Sequence, residues 1–247
     1  MADDHVSITT HRPVVDGYLA LPEGKTKGGL IVIHEVWGLN EHTKDVARRF
    51  ADQGYVTLAP DLISGTAAEG LTPDIMQHAQ NPVTRDEAQK EMRAKMGPLQ
   101  SPEFSKATLE KICACFDWLE ERDDVASKIG VVGFCFGGTY AFTLATAEPR
   151  LTAAVAFYGH SDHSIEQLQN IACPVLAFYG DQDTNLTDKL PELTQNMKTA
   201  GRDFTSKVYP DTGHAFFNDT NPNRYNQAAA TDAWQRTFDF LEPIFQV

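Results

Sequence analysis

The sequence predicts one α/β domain spanning residues 1–247, with helices on both faces of a mostly parallel sheet of about seven to eight strands. First, short apolar runs alternate with helical patterns along the chain, which is typical of parallel sheets. Second, these runs are rich in β-branched residues and do not alternate in polarity, as expected of strands buried on both sides. Third, a chain of 247 residues without an internal repeat or low-complexity linker fits one large domain.

Six apolar runs are the predicted parallel strands, and a seventh run at 16–21 is expected to add an outer antiparallel strand. The six runs are residues 29–34, 55–60, 129–134, 153–158, 174–179 and 204–209. Helices are predicted between them. Asn40 is suited to cap the first helix and Gly54 to end it.

Residues 64–105 fit neither pattern well, because this stretch is rich in proline, glycine and charged residues. A helix is predicted within it, over residues 85–96. Long connections in compact domains are usually binding loops or lids. We therefore expect this segment to form a cap over the functional site.

The acidic composition argues against nucleic acid and membrane surfaces as partners. Twenty-one Lys and Arg residues against 34 Asp and Glu residues give a net charge of −13, which repels phosphate backbones and anionic headgroups. The apolar stretches are too short to span a bilayer, and the first residues do not resemble a secretory signal, so a cytoplasmic location is expected. The four cysteines lack zinc-ligand spacing, so no metal site is expected.

The segment Gly133-Phe134-Cys135-Phe136-Gly137-Gly138 is the strongest functional signal. It follows a predicted strand and precedes a helical run, as a nucleophile elbow does, with cysteine where serine is usual. The glycines allow the close approach of strand and helix in this tight turn. The start of the helix favours a thiolate over a thiol. The alternative interpretation is a buried structural cysteine.

A base and an acid follow the proposed nucleophile in the chain order typical of this elbow. The strand at 174–179 ends in Gly180-Asp181-Gln182-Asp183, and the strand at 204–209 leads to His214. Both therefore emerge at the carboxyl edge of the sheet. Asp181 is closer to the strand end and is expected to brace the turn, whereas Asp183 lies further into the loop. We predict that Asp183 orients His214.

The chain resembles the dienelactone hydrolase family (carboxymethylenebutenolidases) over nearly its whole length. The segments that carry the resemblance are 34–40 (HEVWGLN), 59–62 (APDL), 133–138 (GFCFGG), 180–183 (GDQD) and 213–216 (GHAF). The resemblance implies the α/β-hydrolase fold and hydrolysis of an ester or lactone, with a dienelactone-type substrate favoured. No metal or organic cofactor is implied.

The resemblance also implies which residues carry out the reaction. The triad falls on Cys135, His214 and Asp183. Glu35 contacts the resting sulfur in such enzymes and takes part in activating it. The backbone N–H groups of Val36 and Phe136 are expected to form the oxyanion hole, in agreement with the usual placement of one donor after the nucleophile.

Substrate binding is less well defined, because the sequence departs from the family pattern at Asn218. In the best-known lactonases an arginine at this position helps to hold a substrate carboxylate. Arg85 and Arg224 are candidates for that role here. The aromatic candidates for the substrate site are Trp37, Tyr158 and Phe216.

The proposed partner is a small-molecule ester or lactone, attacked by the Cys135 thiolate to form an acyl-cysteine. A general carboxylesterase or a thioesterase on the same triad is the nearest alternative. A ligand receptor of the same fold without turnover and a redox-sensing thiol protein are alternatives of other classes. The chain is expected to be a monomer or a small homo-oligomer.

Overall fold

The computed structural model describes residues 5–125 and 128–246. Within them, eight strands form one sheet in the spatial order β1-β2-β4-β3-β5-β6-β7-β8. The strands β3 to β8 are mutually parallel, and β1 and β2 form an antiparallel edge beside β4. The strands are β1 His5–Ile8, β2 Val15–Ala20, β3 Gly28–Ile33, β4 Tyr55–Pro60, β5 Ile129–Phe134, β6 Ala153–Phe157, β7 Val175–Gly180 and β8 Phe204–Tyr209.

The predicted mostly parallel sheet is confirmed, and the six parallel strands lie within one residue of their predicted positions. The antiparallel strand predicted at 16–21 is β2, but it lies one strand inside the edge. The outermost strand, β1, was not predicted from the sequence. It is four residues long with a mostly exposed or half-buried pattern, so its apolar periodicity is too short to detect, and its pairing with β2 forms it.

Helices cover both faces of the sheet, as predicted. On one face, α1 and α9 pack on the cluster that contains Phe50 and Phe157. On the other, α4, α5 and α8 pack on the cluster that contains Phe142 and Met197. The helices are α1 Glu41–Ala51, α2 Asp74–Gln80, α3 Arg85–Met96, α4 Pro102–Glu120, α5 Phe136–Ala147, α6 Ile165–Leu168, α7 Thr184–Thr187, α8 Leu190–Thr199 and α9 Gln227–Phe245.

The first helix begins and ends where its sequence predicts. The side chain of Asn40 accepts a hydrogen bond of 3.1 Å from the backbone N–H of Thr43, which satisfies one of the open donors of the first turn. After the helix, Gly54 has a φ of +98°, a left-handed conformation that glycine adopts readily. In the part of the chain that the structure describes, no helix is both long and apolar enough to cross a membrane.

Residues 64–105 form α2, α3, a short 3-10 turn and the start of α4, and the helix predicted over 85–96 coincides with α3. This segment has a small apolar cluster of its own, in which Leu71 and Ile75 pack with Val36. Trp37 and Phe136 pack against the same cluster. The segment therefore rests on the residues that follow β3 and β5. Its action as a lid stays a prediction.

Two glycines in the turn between β5 and α5 are required by close contacts between backbone atoms. A Cβ atom on Gly133 would lie 1.9 Å from the carbonyl oxygen of Gly137, and one on Gly137 would lie 2.2 Å from the carbonyl oxygen of Ile33. Real Cβ atoms do not approach backbone oxygens this closely. The helix α5 can therefore start directly beneath β3 only because both positions lack a side chain.

We predict that Gly133→Ala lowers the free energy of unfolding by about 4 kcal/mol or more, because backbone atoms cannot move away from the added methyl group. Urea denaturation of the purified protein measures this change. Gly97→Ala is the matched control, since its Cβ meets nothing within 4 Å and its φ is −53°. The control is expected to change stability by less than about 1 kcal/mol. Equal stability of the two variants would contradict the steric explanation.

Candidate active site

The turn after β5 holds Cys135 in a conformation that is unusual for a residue with a side chain. Its φ is +55° and its ψ is −111°, and it is the N-cap residue of α5. Its backbone N–H donates to the carbonyl oxygen of Phe157 at 3.0 Å, and the N–H of Gly137 donates to that of His34 at 3.2 Å. These bonds tie the turn to both neighbouring strands. The side chain of Cys135 is half-buried and lines a cavity.

The side chains of His214 and Asp183 meet at the carboxyl edge of the sheet. The Nδ1 atom of His214 lies 2.5 Å from Oδ2 of Asp183. Asp181 has a different partner, because its Oδ1 accepts a hydrogen bond of 3.1 Å from the backbone N–H of Thr212. A Cβ on Gly180 would lie 2.2 Å from the carbonyl oxygen of Thr212. The two loops therefore approach closely, and Asp183 can reach the imidazole.

The protonation of His214 depends on both of its neighbours. Burial disfavours the charged imidazolium, but the hydrogen bond with Asp183 and the interaction with the Cys135 side chain outweigh this and raise the pKa of His214 to about 10. The ring of Tyr158 lies 5.0 Å from the imidazole ring, centroid to centroid. The half-buried side chain of His214 thus interacts with an acid at Nδ1 and with a sulfur.

The other three cysteines lie in environments that suppress reactivity. Burial raises the pKa of Cys113 to about 11 and that of Cys173 to about 12, and it raises the pKa of Cys115 further. All three are buried, and no disulfide joins cysteines in the described residues. Among the same residues, no group of three His, Cys, Asp or Glu side chains is arranged to hold a metal ion. Alkylating reagents should therefore reach Cys135 first.

Glu35 follows β3 and is buried, with 4% of its surface exposed. Its Oε1 accepts a hydrogen bond of 3.2 Å from the hydroxyl of Tyr158, and its Oε2 accepts one of 2.8 Å from the side-chain amide of Asn218. Burial raises the pKa of Tyr158 well above its usual value, and the negative charges of Glu35 and Cys135 raise it further. The carboxylate and the sulfur therefore lie near the same phenol.

His34 has a positioning role that was not predicted from the sequence. It is fully buried, its Nε2 accepts a hydrogen bond of 3.1 Å from the backbone N–H of Leu62, and its Nδ1 lies 2.5 Å from the carbonyl oxygen of Glu35. Nε2 is thus unprotonated and Nδ1 donates, in agreement with the lowered pKa that burial imposes on His34. This pair of bonds links the segment after β3 to the segment after β4 and fixes the backbone at Glu35.

A cavity of about 560 Å³ opens in front of Cys135. Val36, Phe136 and His214 also line it. Phe136 is the first residue of α5, so its backbone N–H has no partner within the helix. The two residues predicted to supply the oxyanion donors therefore line the same cavity as Cys135 and His214. Beside it runs an open groove of about 1250 Å³, which His214 borders as well and which is rich in amide side chains.

The structure brings some of the predicted substrate-binding residues to these spaces and not others. Tyr158 lines the cavity, and Arg224 lines the neighbouring groove. Trp37 packs against the apolar cluster of residues 64–105, and Phe216 is fully buried in the core. Arg85 lies on α3 with a side chain that is 56% exposed and paired with Asp86. Asn218, which stands where the best-known lactonases have an arginine, donates a hydrogen bond to the carboxylate of Glu35.

The fold and the residues at the carboxyl edge define an α/β-hydrolase, and comparison with known proteins agrees. The profile of the Dienelactone hydrolase family matches residues 15–245. A candidate carboxymethylenebutenolidase of Saccharolobus solfataricus is 33% identical over an alignment of 248 positions, which covers 93% of this chain and 94% of that protein. The chain belongs to the dienelactone hydrolase family and is accordingly a hydrolase.

Solved structures support the same fold. A candidate dienelactone hydrolase from Klebsiella pneumoniae superposes with a TM-score of 0.76 at 24% identity, over 95% of each chain. The dienelactone hydrolase from Anabaena variabilis superposes with a TM-score of 0.68 at 19% identity, over 96% of each chain. At these identities, the similarity concerns the fold.

We predict that the pKa of His214 is near 10 in the native protein and falls in Asp183→Asn, because the variant loses the charged hydrogen-bond partner. NMR titration of the imidazole signals measures it. Because the pKa lies above the usual value of 6.5, the interaction stabilises the fold fully below about pH 6.5 and is lost as the pH rises through about 10. The decline in stability over this range should therefore be smaller in Asp183→Asn.

The matched control is Asp181→Asn, which removes a carboxylate from the same loop but not from the imidazole. It should leave the pKa of His214 unchanged and mainly lower stability. If Asp181→Asn shifts the titration of His214 and Asp183→Asn does not, the assignment of the acid is wrong.

Proposed function

We propose that the chain hydrolyses a carboxylic ester or lactone through a triad of Cys135, His214 and Asp183, with an acyl-cysteine intermediate. The observation that carries the proposal is the position of His214, whose Nδ1 lies 2.5 Å from Asp183 while the interaction with the Cys135 side chain contributes to its raised pKa. A nucleophile, a base and an orienting acid in this order are what covalent hydrolysis requires.

In the first half of the reaction, the thiolate of Cys135 attacks the carbonyl carbon of the substrate. The negative charge that develops on the carbonyl oxygen is stabilised by the backbone N–H groups of Val36 and Phe136, which line the same cavity. The imidazolium of His214 then gives its Nε2 proton to the leaving oxygen as the carbon–oxygen bond breaks. The products of this half are an alcohol or enol and a thioester on Cys135.

In the second half, His214 has become a neutral imidazole and acts as the general base. It removes a proton from a water molecule, which attacks the thioester carbonyl, and the same two N–H groups stabilise the oxyanion. Collapse of this intermediate releases the carboxylic acid and restores the thiolate beside an imidazolium. Asp183 keeps the ring oriented in both halves and stabilises its charged form.

Glu35 is proposed to control the resting sulfur. The imidazolium of His214 favours the thiolate form of Cys135, whereas a carboxylate near the sulfur repels that anion. The resting sulfur is therefore less reactive than it would be beside His214 alone. The hydroxyl of Tyr158 and the amide of Asn218 hold the carboxylate in this place. Binding of a substrate would change these contacts and make the thiolate available.

The family resemblance predicts a dienelactone-type substrate, and a general carboxylesterase or thioesterase would use the same steps. A thiolate expels a poor leaving group slowly, so aryl esters, enol esters and strained lactones are favoured in each case. Hydrolysis rates for a dienelactone, an aryl acetate and a thioester, measured side by side, distinguish these possibilities.

We predict that Cys135→Ala lowers kcat by about 10⁴-fold or more while the fold is retained, because removing one triad member disables the others. Steady-state kinetics on an aryl ester measures the loss. Cys115→Ala is the control, since Cys115 is a fully buried cysteine of α4 and should not affect kcat.

Mass spectrometry tests the covalent intermediate directly. His214→Asn, given an activated ester, should accumulate an acyl group on the peptide that contains Cys135, because the base for deacylation is missing. Near-normal turnover by Cys135→Ala, or acylation at another residue, would contradict the mechanism.

We predict that Glu35→Gln is alkylated by iodoacetamide at Cys135 faster than the native protein at neutral pH, but turns over substrate more slowly. The charge that opposes the thiolate is removed, and so is the group that responds to the substrate. Glu41→Gln makes the same chemical change on an exposed residue and should alter neither rate. Unchanged labelling and unchanged kcat in Glu35→Gln would show that the carboxylate does not control the sulfur.

A further inference from the structure

The cavity in front of Cys135 has mainly apolar walls. Met96 and Leu99 come from the 64–105 segment, Phe136 and Tyr140 from α5, and Leu186 from α7. Its volume of about 560 Å³ lies within the roughly 300–1,000 Å³ typical of small-molecule sites. An acyl chain of several carbons can therefore be enclosed there.

The two histidines that line this cavity, His160 and His214, already have carboxylate partners in Asp162 and Asp183. Among the side chains that line the cavity in the described part of the chain, none is a lysine or an arginine. The carboxylate of Asp162 lines it, and its two oxygens lie 3.6 Å from nitrogens of His160 and Lys189. His214 carries a positive charge, but Asp183 lies 2.5 Å from it.

The arginines that the sequence suggested for a substrate carboxylate lie elsewhere. Arg85 is exposed on α3 beside Asp86. Arg224 lines the neighbouring polar groove, to which His214 contributes and whose lining does not include Cys135. At the position where a family arginine would stand, Asn218 is engaged with Glu35.

We propose that the apolar cavity holds the acyl part of the substrate and selects acyl groups without charge. The inference rests on the proposed function, since an acyl group bonded to Sγ of Cys135 must occupy the cavity that Cys135 lines. A carboxylate in this space would lose hydration without gaining a cation. The carboxylate of Asp162 in the lining already engages the nearby nitrogens of His160 and Lys189, at 3.6 Å each. Among the candidate substrates of the proposed function, this favours uncharged carboxylic esters with an apolar acyl chain over a dienelactone that carries a carboxylate.

The test compares two esters of the same shape that differ in charge: the 4-nitrophenyl half-ester of adipic acid and 4-nitrophenyl 6-methylheptanoate. The terminal carboxylate of the first is replaced by an isopropyl group in the second, and the leaving group is identical. We expect kcat/KM of the native protein to be at least about tenfold higher for the uncharged ester, a ratio that corresponds to about 1.4 kcal/mol. Cys135→Ala should be inactive on both.

Measurements at high salt and on two charge variants distinguish the effect of the cavity on ester selectivity from the effect of the protein's net charge. In about 0.5 M NaCl the screening length falls to roughly 4 Å, so repulsion by the net charge of −13 is removed, and the ratio should persist. Asp162→Asn should lower the ratio of kcat/KM between the uncharged and the charged ester by about twofold to fivefold. Asp203→Asn removes the same charge next to the amino end of β8, at the opposite edge of the sheet, and should leave the ratio unchanged.

Each contrary result has one meaning. If both esters are hydrolysed through Cys135 with equal kcat/KM, or the charged ester is preferred, the inference is overturned and the proposed function stands. A preference that disappears in high salt also overturns it, since the field of the whole protein then explains the selectivity. If the folded protein hydrolyses a dienelactone but neither of these esters, the inference alone is overturned; if it hydrolyses no ester, lactone or thioester, the proposed function fails as well.

Discussion

Contacts between backbone atoms at the carboxyl edge of the sheet are the constraint on which the site depends. Gly133 faces the carbonyl of Gly137, Gly137 faces that of Ile33, and Gly159 faces the backbone of Gly138, all at distances that leave no room for a Cβ. These contacts let α5 begin directly against β3 and β6. The ends of three strands therefore converge on one turn. Cys135, Glu35 and Tyr158 follow those strands and meet there without a long loop that would have to be ordered.

Much of this arrangement could be predicted because it depends on local sequence. Buried parallel strands read as apolar runs, so the positions of β4, β5 and β8 followed from the sequence to the residue. The strand–turn–helix context of Cys135 is likewise a local pattern. Residues that directly follow parallel strands lie at the same edge of the sheet, so their proximity could also be predicted. Asp183 was distinguished from Asp181 by its position in the loop. The geometry has Asp183 next to the imidazole and Asp181 on the backbone of Thr212.

What could not be predicted depends on contacts between residues far apart in sequence. Glu35 and Asn218 are separated by 183 positions, and no periodicity relates them. The four-residue spacing from His214 marked Asn218 as a departure, but its partner became visible only once β3 and the loop after β8 were placed side by side. The same is true of β1, which forms a strand only by pairing with β2. It is also true of Arg85 and Arg224, because the sequence does not show which cavity their side chains face.

The ionised groups of the site carry more negative than positive charge, and this has a consequence for what can enter. With Cys135 as thiolate, the negative groups are the sulfur, Glu35 and Asp183, whereas His214 supplies one positive charge. Neutral donors, the hydroxyl of Tyr158 and the amide of Asn218, stabilise Glu35 without cancelling its charge. An arginine at position 218 would have neutralised it and left donors for a second carboxylate. With asparagine there, the site keeps a negative excess in apolar surroundings, where charges interact strongly. The two proposals, a less reactive resting thiolate and the exclusion of an anionic acyl group, therefore rest on the same electrostatic reason.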